Sequence, residues 1–199
     1  VLVRVNPIHD TLPYYFSSED EINATIEAGA DIIMLPFFKT VAEVGRFLKI
    51  VDGRAKTCLL VETPEAALLI DEILELKGID MIHLGLNDLH LALGMKFMFE
   101  LLADGTVDRL SAKIKAKGIP FGFGGIATLK EHVRLGSSMV IVSRSFCNTD
   151  IITDKDEVRR IFNEGIAAIR QQEFEAINVY NYFISNNNAV KEAVSKIVK

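Results

Sequence analysis

Hydrophobic and polar positions along this chain fall into a repeated couplet. A short unbroken apolar run comes first, and a stretch whose apolar residues recur every three or four positions follows it. The runs are VLVRV (1–5), DIIMLP (31–36), TCLLV (57–61), DMIHLG (80–85), PFGFGG (120–125) and MVIVS (139–143). Runs this short and this continuous predict strands buried on both faces, as in a parallel sheet whose strands are joined by helices. The intervening stretches read as those helices. Val41, Val44, Phe47, Leu48 and Val51 share one face after Thr40, a good N-cap, and Gly53 marks the stop. After Glu62, Thr63 can cap and Pro64 suits a first helical turn, while Ala67, Ile70, Ile73 and Leu74 form an apolar face before Gly78.

Alternating strands and helices admit an open doubly wound sheet or a closed barrel. No G-x-G-x-x-G follows the first run, and polar residues gather at the ends of several runs: Arg4 to Asn6, Glu62, Asn87 and Asp88, Gly124 and Gly125, and Ser143 to Ser145. A site assembled from many strand ends is the barrel's signature, so the expected fold is a TIM (β/α)8 barrel. Six visible strands leave the first two to be supplied upstream of Val1. Residues 1–155 are expected to form the barrel domain and 156–199 a C-terminal helical extension, interrupted or bent near ISNNN (184–188). Its last segment, AVKEAVSKIVK, is amphipathic with no evident seat in its own barrel, which predicts packing on a partner subunit in a homo-oligomer.

Composition removes several classes of function. With 49% hydrophobic and 25% charged residues the chain has the balance of a globular protein, and a net charge of -5 without a basic stripe argues against nucleic-acid binding. No apolar run approaches the roughly 20 residues of a membrane-spanning helix. Cys58 and Cys147 fit neither a disulfide framework nor a CxxC pair, so both read as buried thiols of a cytoplasmic protein.

The candidate chemistry lies in two acidic strand ends. Neighbouring parallel strands lie about 4.8 Å apart, so Glu62 and Asp88, emerging from consecutive strands, can converge on one hard cation, Mg2+ or Mn2+. A purely structural alternative has Glu62 capping loop backbone and Asp88 capping a helix that begins near Leu89. Arg4, inside an apolar run, reads as a buried guanidinium, either salt-bridged to a barrel carboxylate or aimed at a substrate oxygen.

VRVNP, GADIIMLPFFKTVAEV, VETPEAALLIDEI and GIDMIHLGLNDLHLALG resemble, in order and spacing, the HpcH/HpaI aldolase/citrate lyase family of pyruvate-binding barrels. The likeness runs over roughly residues 1–145. It implies a divalent metal held by Glu62 and Asp88, an active-site Arg at Arg4, and cleavage or formation of a carbon–carbon bond beside a pyruvate-like enolate. It also implies 2-oxo acid and aldehyde substrates, or in the citrate lyase branch an acyl-CoA thioester, for which no basic groove is evident. Leu60 stands where pyruvate aldolases of the family often carry Gln, which leaves room for a noncatalytic carboxylate-binding subunit.

His9 is the candidate base replacing a family histidine of an earlier strand. Gly85 and Asn87 are expected to line the substrate. Gly124, Gly125, Ser143 and Arg144 read as a second, anion-binding group at the last strand ends. His83 is expected to be a hydrogen-bonded core residue, His90 a neighbour of the metal ligands, and His132 a surface residue. The Met- and Phe-rich MKFMFELL (95–102) reads as core packing or a subunit contact.

Overall fold

The computed structural model describes residues 1–10, 17–124, 129–141, 156–161, 163–165 and 180–197, with single positions at 152, 154, 167 and 171. Five strands alternate with helices: β1 (Leu2–Arg4), β2 (Ile32–Leu35), β3 (Lys56–Val61), β4 (Met81–Leu84) and β5 (Phe121–Phe123). The helices are α1 (Ser18–Glu27), α2 (Val41–Val51), α3 (Pro64–Leu68), α4 (Ile70–Ile73), α5 (Leu86–Ala92), α6 (Glu100–Ala103), α7 (Thr106–Ala116), α8 (Leu129–Leu135) and α9 (Tyr180–Ile197). The first five apolar runs are thus the five strands. Of the sixth, the described residues contain one parallel bridge, Met139 to Gly122, and residues 142 and 143 lie outside them.

All four strand pairings are parallel and follow chain order, β1-β2-β3-β4-β5. Each strand therefore lies beside its predecessor, and crossovers of one hand place every helix on the same side. The side-chain distribution agrees. Ile33, Leu35, Leu59, Val61, Ile82, Leu84, Phe121 and Phe123 pack with the helices in one large core. The alternate residues Met34, Cys58 and Leu60, with Ile32 and Met81 against them, form a separate cluster made of strand residues alone. A doubly wound sheet carries helices on both faces, whereas helices on one face of sequentially ordered parallel strands are the winding of a (β/α) barrel.

Local chemistry sets the element ends. Thr40 and Glu43 make a complete capping box at α2, which ends at Asp52 in the left-handed region (φ 47°) before Gly53. Such a cap contributes about 1 kcal/mol. At the start of β3 and β4, Thr57 N–H donates to Asp80 Oδ2 (2.8 Å) and Thr57 Oγ1 to the Gly78 carbonyl (2.6 Å). These bonds pin the two strands in the register that carries Glu62 to its position. Phe38, Phe47, Phe121 and Phe123 are fully buried, and each contributes about 2 to 3 kcal/mol by burial.

The C-terminal helix departs from expectation twice. α9 runs uninterrupted through 184–188. It also has a seat in its own chain: it lies against α6 and α8, Val194 is 7% exposed and Val190 packs on the main core. The MKFMFELL segment is core packing, with Leu101 and Leu102 buried and Met95, Met98 and Phe99 against them. No described helix is long and apolar enough to cross a membrane.

Candidate active site

Glu62 follows the last residue of β3, and strand alternation puts it on the helix-free face with Cys58 and Leu60. Its residue surface is only 2% exposed. Glu62 Oε1 accepts the Phe37 N–H at 3.0 Å. Phe37 itself takes φ 53°, a left-handed backbone held without glycine, at a cost of about 1 to 2 kcal/mol. The next residue ties the same loop from the other side: Thr63 Oγ1 donates to the Phe38 carbonyl (2.7 Å) and accepts the Ala66 N–H (3.2 Å), capping α3 with Pro64 in its first turn. The Thr-Pro pair thus fixes both the helix and the direction in which Glu62 leaves the strand.

Asp88 is the third residue of α5, whose N-cap is Gly85 and which has no side-chain cap hydrogen bond. Asp88 therefore caps nothing, and its half-buried carboxylate is turned to Glu62 instead. Gly85 makes that approach possible. A Cβ at Gly85 would stand 2.7 Å from Glu62 Cβ and 3.0 Å from Glu62 Oε2. The electrostatics follow from this crowding. Burial is the largest influence on Glu62 and pushes its carboxyl from 4.5 to about 7; the Phe37 N–H and Arg4 oppose the rise, while the charge and hydrogen bond of Asp88 add to it.

Arg4 is close enough to act on Glu62, but it is exposed rather than buried, because β1 is the edge strand of the described sheet. The expected desolvation cost of its charge is absent. His9 is held elsewhere: its backbone N–H donates to Ser18 Oγ (2.8 Å), its Nδ1 lies 2.8 Å from the Pro7 carbonyl and 3.1 Å from Ser18 Oγ, and Nε2 is buried without a partner. No contact with Glu62, Asp88 or Arg4 is found for it among the described residues. Asn87 is exposed beside Asp88. Gly124 N–H continues the ladder to the Leu84 carbonyl (3.2 Å), whereas Gly125, Ser143 and Arg144 lie outside the described residues.

The histidines are mostly deeper than the sequence suggests. His132, expected at the surface, is 5% exposed because it stacks on Phe123 with ring centroids 3.8 Å apart. His90 is buried and bonds the Leu86 carbonyl of its own helix through Nδ1 (3.1 Å), which turns it onto α5. His83 is buried as expected but makes no hydrogen bond to another described residue. Burial holds both His83 and His132 down to about 4, so both are neutral at pH 7.

Among the described residues no group of three or more His, Cys, Asp or Glu is arranged to hold a metal. Two facing carboxylates nevertheless suit a small hard cation that completes its shell with waters or a chelating ligand. A buried carboxylate facing a second one, with its ionisation suppressed, is the donor set that such a cation relieves. The residues present fit the group.

Sequentially ordered parallel strands with helices on one face define a protein of the parallel α/β class, wound in the manner of TIM-barrel folds. The sequence model of the HpcH/HpaI aldolase/citrate lyase family matches residues 1–119, and the chain belongs to that family.

Solved structures agree in fold. The citrate lyase beta subunit of Mycobacterium tuberculosis, complexed with oxaloacetate and magnesium, superposes with a TM-score of 0.57 at 17% identity over 72% of this chain and 68% of its own. An HpcH/HpaI aldolase from Desulfitobacterium hafniense DCB-2 gives 0.59 at 16% identity, over 85% of this chain and 72% of its own. The citrate synthase SbnG gives 0.60 at 19%, over 86% and 72%. Comparison with curated proteins gives no match.

Proposed function

We propose that this protein is a divalent metal-dependent carbon–carbon lyase of the aldolase type, acting beside the keto group of a pyruvate-like 2-oxo acid through an enolate. The observation that carries the reading is the Glu62–Asp88 pair, brought together at the strand ends with Gly85 cut back to make room. The binding of oxaloacetate and magnesium by the M. tuberculosis citrate lyase beta subunit, a structure of the same fold, supports it. Glu62 and Asp88 would hold Mg2+ or Mn2+, which supplies a Lewis acid for the keto carbonyl when bound.

The chain's own residues divide the remaining work. The Phe37 N–H fixes one oxygen of Glu62, so the other stays directed toward Asp88. Arg4, exposed and near Glu62, presents a guanidinium to negative charge developing on a substrate oxygen. Leu60, buried below Glu62, offers the substrate an apolar contact where a polar one was a family option. His9 is tied to the start of α1 and is not carried forward as the base.

The test is oxaloacetate decarboxylation and pyruvate–aldehyde condensation with Mg2+ or Mn2+. Both Glu62→Gln and Asp88→Asn should remove activity and metal uptake together. Activity unchanged in Glu62→Gln would refute the assignment, and carboxylate binding without metal uptake would indicate a noncatalytic subunit.

A further inference from the structure

The loop that carries the Phe37 N–H to Glu62 is tied at every step. Phe38 is buried in the main core and its carbonyl accepts Thr63 Oγ1 (2.7 Å); the Lys39 N–H donates to Glu43 Oε2 (2.8 Å), and Thr40 caps α2. The Phe37 side chain has no such seat. It is 46% exposed and belongs to neither apolar cluster, whereas Phe38, Phe47, Phe121 and Phe123 are fully buried. Its backbone is the second peculiarity, since φ 53° strains any residue with a Cβ. Glycine would make the same turn and the same N–H bond to Glu62 without that strain, and without presenting a phenyl ring to water. What Phe adds at this position is the ring alone.

That ring stands beside the carboxylate pair. The Phe37 nitrogen lies 3.0 Å from Glu62 Oε1, so Phe37 Cα is no more than about 4.5 Å from that oxygen. A carbon chain extending from a ligand held at Glu62 and Asp88 is within the ring's reach on the β2 side. The surroundings there are apolar too, since Leu60, two residues before Glu62 on the helix-free face, packs with Met34 and Cys58. The loop's cation, Lys39, is paired with Glu65 (3.4 Å), so it answers a carboxylate of the protein rather than one on a ligand.

We infer that the Phe37 ring is a specificity-determining wall of the site, packing against an apolar substituent, aromatic or alkyl, carried on the carbons beyond the keto group. The inference rests on the lyase reading above and narrows it: the fragment joined to the pyruvate-like part is a hydrocarbon aldehyde rather than one ending in a carboxylate or phosphate. Packing the ring on an apolar group removes both from water, and two rings gain further from edge or offset stacking. An anionic end group would lose hydration against the same ring with no hydrogen bond in return.

2-Oxo-4-phenylbutyrate and 2-oxoglutarate share one skeleton as far as the fourth carbon, where the first carries a phenyl group and the second a carboxylate. Calorimetry with Mg2+ present should show the unaltered protein favouring the phenyl compound by about tenfold. Phe37→Ala should lower that ratio by about the same factor, and Phe37→Tyr should keep it; a ratio taken within one protein cancels any change at the metal site. The sequence contains no Trp, so Phe37→Trp adds a single indole. Its emission should move to shorter wavelength with 2-oxo-4-phenylbutyrate and stay still with 2-oxoglutarate. A preference for 2-oxoglutarate in the unaltered protein, a ratio unchanged in Phe37→Ala, or an indole already screened from water and indifferent to the phenyl compound would overturn this proposal alone, provided pyruvate still binds with Mg2+. Failure of pyruvate itself to bind would overturn the metal-site reading and the apolar wall with it.

Discussion

Replacing Glu62 by Gln should stabilise the metal-free protein at alkaline pH while destroying its response to magnesium. The carboxyl is raised from 4.5 to about 7, chiefly by burial. In the metal-free fold it holds its proton in a range where the unfolded chain has already released it. The unfolded state then binds fewer protons, so stability from this group falls as pH rises from about 4.5 to 7 and is level above. At 1.36 kcal/mol per unit the full loss is about 3 kcal/mol. Gln carries no proton equilibrium and can still accept the Phe37 N–H. The difference between Glu62→Gln and the unaltered protein should therefore be near zero at pH 4 and about 3 kcal/mol at pH 8, or roughly 6 to 12 °C in Tm for a chain of this size.

Magnesium should close the gap. At one hundred times its Kd it adds about 2.7 kcal/mol to the unaltered protein and nothing to Glu62→Gln. Thermal unfolding of both proteins from pH 4 to 8, with chelator and with magnesium, makes the measurement. Parallel pH profiles, or equal magnesium stabilisation of both, would refute the argument that burial and Asp88 make Glu62 a cation ligand in waiting.

Three further outcomes are expected. Gly85→Ala puts a methyl group against Glu62; magnesium affinity by calorimetry should fall at least tenfold while circular dichroism stays native. His132 is held neutral near 4 by burial, below its ordinary 6.5, so its contribution is complete above pH 6.5 and lost as pH falls toward 4. His132→Phe, which preserves the stack on Phe123, should flatten urea-derived stability across that window. Val194→Asp places a charge at the buried face of α9; a loss of about 2 kcal/mol and faster proteolysis of the C-terminal segment should follow, whereas no change would contradict the docking of α9 on α6 and α8.

Continuous apolar runs determined the strands, because a residue buried on either face of a parallel sheet needs the same chemistry, and the caps Thr40 and Thr63 were legible because capping is local. Glu62 and Asp88 could be singled out for a similar reason: a carboxylate at the tip of an apolar run is conspicuous in one dimension. What the sequence could not decide was anything set by partners distant along the chain. The exposure of Arg4 depends on β1 lying at the sheet edge, and the burial of His132 on Phe123 being beneath it. The Phe37 N–H gives no signal at all, since any residue carries one and only the turn after β2 aims it at Glu62. Whether an amphipathic helix such as α9 finds its apolar partner in its own chain or in another is a matter of where the chain returns, which periodicity does not encode. Composition and spacing chose the elements and the candidate side chains; the packing of those elements chose which of the side chains meet.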